Sequence, residues 1–223
     1  ELMALATEAQ INTAVVINPN NPTGERHEPT ALHTIANELN KHNGQLIIDE
    51  AFIDSQAQFS LSQQRPSNVI ILRSMGKFFG LAGIRVGFVI ASKQILEKIN
   101  HLAGLWPISG PSQWAASLAL ADKAWQAQQI ERLQTQSQLL YTQIQKHLPA
   151  TPIRRQDLFV SAALSKQHAD NIFGHFAQSG ILIRKFNLGH DNALLRFGLV
   201  PDSTTGLPDA PERFLAVLAR APN

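Results

Sequence analysis

The chain has 223 residues, of which 44% are hydrophobic and 16% charged, so it can form one large domain, or a medium and a small one, around a folded core. The formal net charge is only +2 and the 19 lysines and arginines are scattered, which argues against nucleic-acid binding and against a polybasic membrane patch. Apolar runs fall far short of the roughly 20 residues of a membrane span, and the lack of cysteine excludes disulfides and thiolate chemistry, so we expect a cytoplasmic protein.

The first part of the chain alternates predicted helices and strands. Apolar residues at helical spacing predict a helix that ends near Gln10, and because no initiator methionine precedes Glu1, we expect the chain to begin inside a longer protein. A second helix begins near Pro29, and Ser92 could cap a third. Short, continuous apolar runs predict buried strands at 13–17, 45–49, 68–72 and 84–91.

The second part begins with a glutamine-rich helical region that extends to about Leu148 and is followed by Pro149 and Pro152. Beyond these prolines, the patterns predict strands at 158–164, 180–186 and 193–200, a helix that stops near Gly180, and a last helix from about Pro211.

Strands separated by helices, with continuous apolar runs, favour a mostly parallel sheet with helices on both faces. We therefore predict an α/β fold in which residues 1–148 form part of a large domain, including its long connecting helix. Residues 149–223 are predicted to form a smaller α+β domain.

Three stretches that carry polar or charged side chains lie at or just after the ends of predicted strands. They are 18–24 (NPNNPTG), 49–52 (DEAF) and 74–85 (SMGKFFGLAGIR). Ligands of parallel sheets bind at the carboxyl ends of the strands, so the three stretches are expected to share one site.

The residue types in these stretches indicate one kind of ligand. Ser74 and Arg85 suit a phosphate, and Lys77 suits a carbonyl carbon, with which an amine forms an imine. Asp49 suits a ring nitrogen that must stay protonated, and the amide of Asn21 suits a phenolic oxygen. Phosphate, aldehyde, pyridine nitrogen and phenol together describe pyridoxal 5'-phosphate.

In their order and intervals, the three stretches resemble the aspartate-aminotransferase superfamily (fold-type I) of pyridoxal-phosphate enzymes. The resemblance implies that Lys77 carries the cofactor and that Asp49 is the partner of the pyridine nitrogen. It also implies that Asn21 contacts the ring hydroxyl, that Ser74 and Arg85 hold the phosphate, and that the complete protein is a homodimer.

Two further stretches, 104–112 (GLWPISGPS) and 193–201 (ALLRFGLVP), are similar to L-threonine-O-3-phosphate decarboxylases of cobalamin biosynthesis, which are related to histidinol-phosphate aminotransferases. This similarity implies that Arg196 grips the substrate carboxylate and that Arg184 lies where the substrate phosphate is held. It implies a lyase that releases carbon dioxide from L-threonine O-3-phosphate, and an aminotransferase of a phosphorylated amino acid is the alternative.

The sequence also departs from this family. Phe52 stands where aminotransferases often have a tyrosine that bonds to the ring hydroxyl. In the family, a glycine-rich turn that binds the phosphate and an aromatic residue that stacks on the ring precede the Asn-Pro-Thr-Gly motif. This chain has only 17 residues before Asn18. The phosphate cup and the sheet are therefore expected to be incomplete, and a non-catalytic folded fragment is an alternative of another class.

Each residue also has a simpler interpretation. Lys77 could be a solvated loop lysine, whereas Asp49 and Asn21 could be turn residues. Arg196 could belong to a structural ion pair, and Arg184 to an exposed one. The eight histidines show no metal-ligand spacing, so no metal site is predicted.

Overall fold

A computed structural model describes residues 11–201 and 209–222 of the chain. The chain divides into two compact units, one of residues 1–21 and 25–127 and the other of residues 22–24 and 128–223. The boundary predicted between residues 148 and 149 thus differs from the structural one and falls inside the second unit. The reason is that Leu140 and Ile144 of the long helix pack in the hydrophobic core of the second unit.

The first unit contains a four-stranded sheet in the order β1-β2-β3-β4. Strands β1, β2 and β3 pair in parallel, whereas β4 runs antiparallel to β3. The predicted α/β fold with a mostly parallel sheet is therefore confirmed. The strands are β1 (Thr13–Ile17), β2 (Gln45–Asp49), β3 (Val69–Ser74) and β4 (Gly87–Ile90), and the helices are α1 (Pro29–Asn40), α2 (Lys93–Ala103), α3 (Gly110–Ala121) and the start of α4 (Lys123–His147).

Helix α1 covers one face of this sheet. Its apolar stripe is buried and packs in one hydrophobic cluster with Val16, Ile48 and Ile71, which point to the same side of their strands. Residues in the opposite phase are less covered, and Val15 is 63% exposed. Because side chains alternate along a strand, one face of this sheet packs against α1, whereas the other face carries less covered apolar residues.

Two predicted elements are shorter than expected. The strand predicted at 84–91 is observed only at Gly87–Ile90, because Ala82–Ile84 form a 3₁₀ turn and Arg85 adopts a left-handed conformation with φ of 56°. The glutamine-rich helical region is divided between α3 and α4. The break lies at Asp122, whose Oδ1 accepts a hydrogen bond of 2.9 Å from the Trp125 N–H.

The second unit contains an antiparallel sheet in the order β5-β6-β8-β7. Strand β5 carries the polar sequence IRRQ, which gives no apolar signal, and it was not predicted. The helix predicted before Gln10 lies outside the described residues. The remaining elements are β5 (Ile153–Gln156), β6 (Phe159–Ser165), α5 (Lys166–Gln178), β7 (Arg184–Leu188), β8 (Asn192–Gly198) and α6 (Ala210–Leu218).

The core of the second unit joins the C-terminal part of α4 with α5, α6 and one face of the sheet. Phe176 lies at its centre, with ring centroids 5.9 Å from Phe197 and 5.6 Å from Phe214. Within the two described ranges, no helix is both long and apolar enough to cross a membrane.

Candidate active site

A cavity of about 390 Å³ opens at the carboxyl ends of the parallel strands of the first unit. Four of the predicted site residues line it together, as expected from their positions at neighbouring strand ends. The lining residues are Ile17, Asn21, Asp49, Ala51, Phe52, Leu72, Arg73, Ser74 and Lys77.

The loop that follows β1 brings Asn21 to this cavity. Fully buried Asn18 fixes the start of the loop, since its Oδ1 accepts a hydrogen bond of 2.8 Å from the His27 N–H. The Asn18 N–H in turn donates to the Asp49 carbonyl at 2.8 Å, which continues the β1–β2 pairing beyond the strand. The loop therefore begins in register with the end of β2.

Asp49 is the last residue of β2 and is half-buried. One oxygen of its carboxylate, Oδ1, accepts a hydrogen bond of 2.9 Å from the Ala51 N–H. A backbone amide thus sets the orientation of the carboxylate, and the second oxygen can accept a bond from a protonated ring nitrogen.

Lys77 lies in the loop between β3 and β4. Buried Met75 and Phe78 anchor this loop on either side of Lys77. The Phe78 ring packs edge-on against Trp125, with 5.6 Å between the ring centroids. Ser74 adds a turn, because its Oγ accepts a hydrogen bond of 3.0 Å from the Gly76 N–H. Its neighbours hold the loop, while the Lys77 side chain stays directed to the cavity.

The Lys77 side chain is exposed and lines the cavity. Its Nζ lies 5.4 Å from the ring centroid of Phe52. Phe52 stands where the related aminotransferases often have tyrosine, so an apolar ring rather than a hydroxyl borders the amine.

Arg85 is not among the residues that line the cavity. It is exposed, and its Nη1 lies 3.5 Å from the Ala82 carbonyl of the preceding 3₁₀ turn. The left-handed backbone at Arg85 ends that turn before β4 begins. Its role as a phosphate ligand therefore stays a prediction.

A group of charged residues that includes the lining residue Arg73 was not predicted from the sequence. Arg73 donates to Asp54 Oδ1 at 2.7 Å and lies 3.4 Å from Glu50 Oε2. Burial raises the pKa of fully buried Glu50, although hydrogen bonds from Ser60 and Leu61 and the charge of Arg73 act in the opposite direction. The available signal was a charged pair, Glu50 and Arg73, at the ends of otherwise apolar strands.

The two predicted substrate arginines lie in the second unit, directly opposite each other on neighbouring strands. Arg184 of β7 pairs in register with Arg196 of β8. The Arg196 guanidinium lies 5.3 Å from the Phe159 ring centroid and 5.8 Å from that of Phe186. Burial and, to a smaller extent, the charge of Arg184 lower the pKa of Arg196, so a bound anion would relieve the repulsion between them.

The family model described as aminotransferase class I and II matches residues 1–205 of the chain. The protein therefore belongs to the aminotransferase class I and II family, as the sequence motifs predicted.

Two curated proteins and one solved structure illustrate which members of this family the chain is similar to. The threonine-phosphate decarboxylase of Pseudomonas aeruginosa is 38% identical over 194 residues, which cover 86% of this chain and 56% of that protein. Histidinol-phosphate aminotransferase 1 of Archaeoglobus fulgidus is 25% identical over 92% of this chain and 59% of that protein. The crystal structure of histidinol-phosphate aminotransferase from Sinorhizobium meliloti in complex with pyridoxal 5'-phosphate has a TM-score of 0.77 at 22% identity, and the match covers 98% of this chain and 59% of that one.

The chain thus spans little more than half the length of the curated relatives that it matches. The low identity to the solved structure supports a shared fold alone.

Proposed function

We propose that the complete protein is a pyridoxal-phosphate-dependent decarboxylase that converts L-threonine O-3-phosphate to (R)-1-amino-2-propanol phosphate and carbon dioxide. The observation that carries the proposal is the convergence of Asn21, Asp49, Ser74 and Lys77 on one cavity. The threonine-phosphate decarboxylase from Pseudomonas aeruginosa, at 38% identity, supports the choice of substrate.

The chemistry of the lining residues fits this cofactor. The cavity offers an amine, a carboxylate, an amide and a hydroxyl, which match an aldehyde, a pyridine nitrogen, a phenol and a phosphate. When bound, the cofactor supplies a sink for the electrons that remain after a bond to the substrate α-carbon breaks. The glycine-rich turn and the second phosphate ligand are not among the groups that this cavity provides.

Each residue has a defined task in the proposal. Lys77 would hold the cofactor covalently, and its released amine would return a proton to the substrate carbon. Asp49 keeps the ring nitrogen protonated, with its carboxylate oriented by the Ala51 N–H. Asn21 donates to the ring hydroxyl, and Ser74 donates to the phosphate.

The arginine pair supports a substrate with two anionic groups. We propose that Arg196 binds the carboxylate and Arg184 the phosphate of the substrate, because guanidinium groups form paired, charge-assisted hydrogen bonds to both. Their facing positions on β7 and β8 put two cations on one face of the sheet.

An aminotransferase of a phosphorylated amino acid is the second candidate. The match to histidinol-phosphate aminotransferase 1 of Archaeoglobus fulgidus over 92% of this chain favours it. Both candidates use the same roles for Lys77 and Asp49, and they differ in the bond that breaks.

One labelling experiment tests the shared part of the proposal. The protein is incubated with pyridoxal 5'-phosphate, reduced with borohydride and digested, and the labelled peptide is identified by mass spectrometry. We expect the label on Lys77. Label on Lys93 or Lys98 instead would contradict the assignment, and no label on any lysine would favour a non-catalytic fragment.

Product analysis then separates the two reactions. Carbon dioxide with no net change in the cofactor identifies a decarboxylase, whereas pyridoxamine phosphate together with a keto acid identifies an aminotransferase.

Homodimer formation and a cytoplasmic location complete the proposal. The connection between α2 and α3 carries the exposed apolar residues Leu105 and Trp106, which are 90% and 91% exposed and support an interaction with another surface. Light scattering of the purified protein would measure its oligomeric state, and a monomeric mass would contradict the dimer.

A further inference from the structure

Because side chains alternate along a strand, the ends of β2 and β3 present different residues to the two faces of the sheet. Asp49 and Ser74 are in the phase that faces the cavity, whereas Glu50 and Arg73 are in the phase of the buried residues Ile48 and Ile71. The charged side chains of Glu50 and Arg73 therefore continue the packed face of the sheet, and Arg73 also borders the cavity.

These charged residues connect three segments of the chain. Arg73 on β3 contacts Glu50, which follows β2, and Asp54, which begins the 3₁₀ helix Asp54–Phe59. Glu50 also accepts hydrogen bonds of 2.6 Å from Ser60 Oγ and 3.1 Å from the Leu61 N–H. The ends of two strands and the segment after β2 are thus joined through one guanidinium.

The composition of this cluster indicates a role beyond stabilising the fold. Two carboxylates face one guanidinium, and among the described residues the buried atoms Asp54 Oδ2 and Arg73 Nε have no hydrogen-bond partner. Buried polar atoms in native proteins are nearly always paired, and unpaired ones are found at strained or functional positions. A buried ion cluster is often no more stabilising than apolar residues of similar volume, although it restricts geometry.

We propose that Arg73, held by Glu50 and Asp54, is a positioning residue that fixes the distance between Asp49 and Lys77. Asp49 immediately precedes Glu50, and Lys77 follows Arg73 by four residues, so the cluster holds the backbone on which both functional groups are carried. This inference rests on the proposed function, since it assumes that Asp49 and Lys77 contact the same cofactor.

The test compares four variants. Arg73→Met removes the guanidinium, Arg73→Lys keeps its charge, and the triple variant E50Q/D54N/R73M removes every charge of the cluster. Arg65→Met is the matched control, because Arg65 also fixes β3, through hydrogen bonds of 2.9 Å to the carbonyls of Pro66 and Val69, but does so at the opposite end of the strand.

The first measurement is the rate of borohydride-trapped labelling of Lys77 by pyridoxal 5'-phosphate, beside the melting temperature. We expect Arg73→Met to label Lys77 about tenfold more slowly, because a displacement of about 1 Å is costly for oriented groups, and Arg73→Lys to recover part of the rate. The triple variant should regain melting temperature but not labelling rate. Arg65→Met should lose melting temperature and keep the labelling rate.

Labelling of Lys77 in the triple variant at the rate of the unaltered protein would overturn the inference. So would an equal loss of labelling rate in Arg65→Met and Arg73→Met when the two variants have the same melting temperature. Failure of the unaltered protein to label Lys77 would instead contradict the proposed function. In that case, hydrogen exchange of the backbone amides tests the positioning role in the absence of the cofactor. Faster exchange of the amides at 49–54 and 74–77 in the triple variant than in Arg65→Met supports it, and equal exchange overturns it.

Discussion

The strand-end cavity of the first unit and the arginine face of the second unit present charge in different ways. In the cavity, Asp49 and Ser74 each accept a hydrogen bond from a backbone N–H two residues further along the chain, so the local turn sets the orientation of each side chain. On the arginine face, Arg184 and Arg196 are adjacent because two antiparallel strands pair in one particular register. The orientation of these side chains is thus set by local turns at the first site and by the strand register at the second.

The two regions also differ in charge balance. The cavity is lined by residues of both signs, including Asp49 and Lys77, which suits a cofactor with several kinds of polar group. The arginine face brings like charges together, and the pKa of Arg196 is lowered by burial and by Arg184. The comparison indicates that the first region is suited to holding a mixed ligand, and the second to attracting anions.

The largest expected effect concerns the carboxylate of the cavity. Asp49→Asn should reduce turnover on the order of 100-fold and lower cofactor retention far less, because an amide can accept the Ala51 bond but cannot hold a ring nitrogen protonated. Turnover and bound cofactor are measured on the same preparations. Asp122→Asn is the control, since Asp122 accepts a similar backbone bond outside the cavity. Unchanged turnover in Asp49→Asn would make Asp49 a turn residue only.

The second prediction concerns the arginine face. Arg184→Ala should lower the preference for threonine phosphate over threonine about tenfold to hundredfold, which corresponds to the loss of a charge-assisted pair of about 1.5–3 kcal/mol. Arg196→Ala should weaken both substrates alike. The measurement is the ratio of kcat/KM for the two substrates.

Lys185→Met provides the control for this measurement, because Lys185 is adjacent on β7 but pairs with Asp170. If phosphate preference survives in Arg184→Ala, the assignment of the substrate is wrong, whatever the labelling of Lys77 reveals.

The third prediction compares strand glycines from the two regions. A Cβ on Gly87 would lie 2.9 Å from the Arg73 carbonyl oxygen, whereas a Cβ on Gly198 would meet no atom within 4 Å. Gly87→Ala should therefore lower the free energy of unfolding by about 1–3 kcal/mol, and Gly198→Ala should change it by less than about 0.5 kcal/mol. Urea denaturation followed by circular dichroism measures both, and equal effects would show that β3 and β4 can separate without cost.

The smallest expected effect is a pH dependence at Glu50. Burial raises its pKa above the ordinary value of 4.5, so the folded state binds a proton more readily than the unfolded state. Its contribution to stability is therefore present below pH 4.5 and is lost as the pH rises through the folded pKa. Relative to Glu50→Gln, the unaltered protein should lose free energy of unfolding over this interval.

The matched control for the pH experiment is Glu38→Gln, which removes a surface carboxylate paired with Lys41. Urea denaturation at a series of pH values from 4 to about 8 gives the two difference curves. An identical pH slope for both variants would show that the raised pKa of Glu50 does not contribute to stability.

The sequence determined the parts of the protein that depend on neighbouring residues. Short apolar runs between turn formers identified β1, β2 and β3. The placement of Asp49 and Lys77 at strand ends predicted a shared site, and in the structure both residues line one cavity. The inference succeeded because parallel strands bring their carboxyl ends to one edge of the sheet, whatever the details of their packing.

Only the tertiary structure decided which distant residues meet. No local pattern shows that Asp54 folds back on Arg73, that β4 turns antiparallel to β3, or that Arg184 faces Arg196. The same applies to the long helix, whose C-terminal residues join the core of the second unit rather than the first. Local propensity and periodicity specify where an element lies along the chain, whereas register and packing depend on loop closure and on burial of surfaces far apart in sequence.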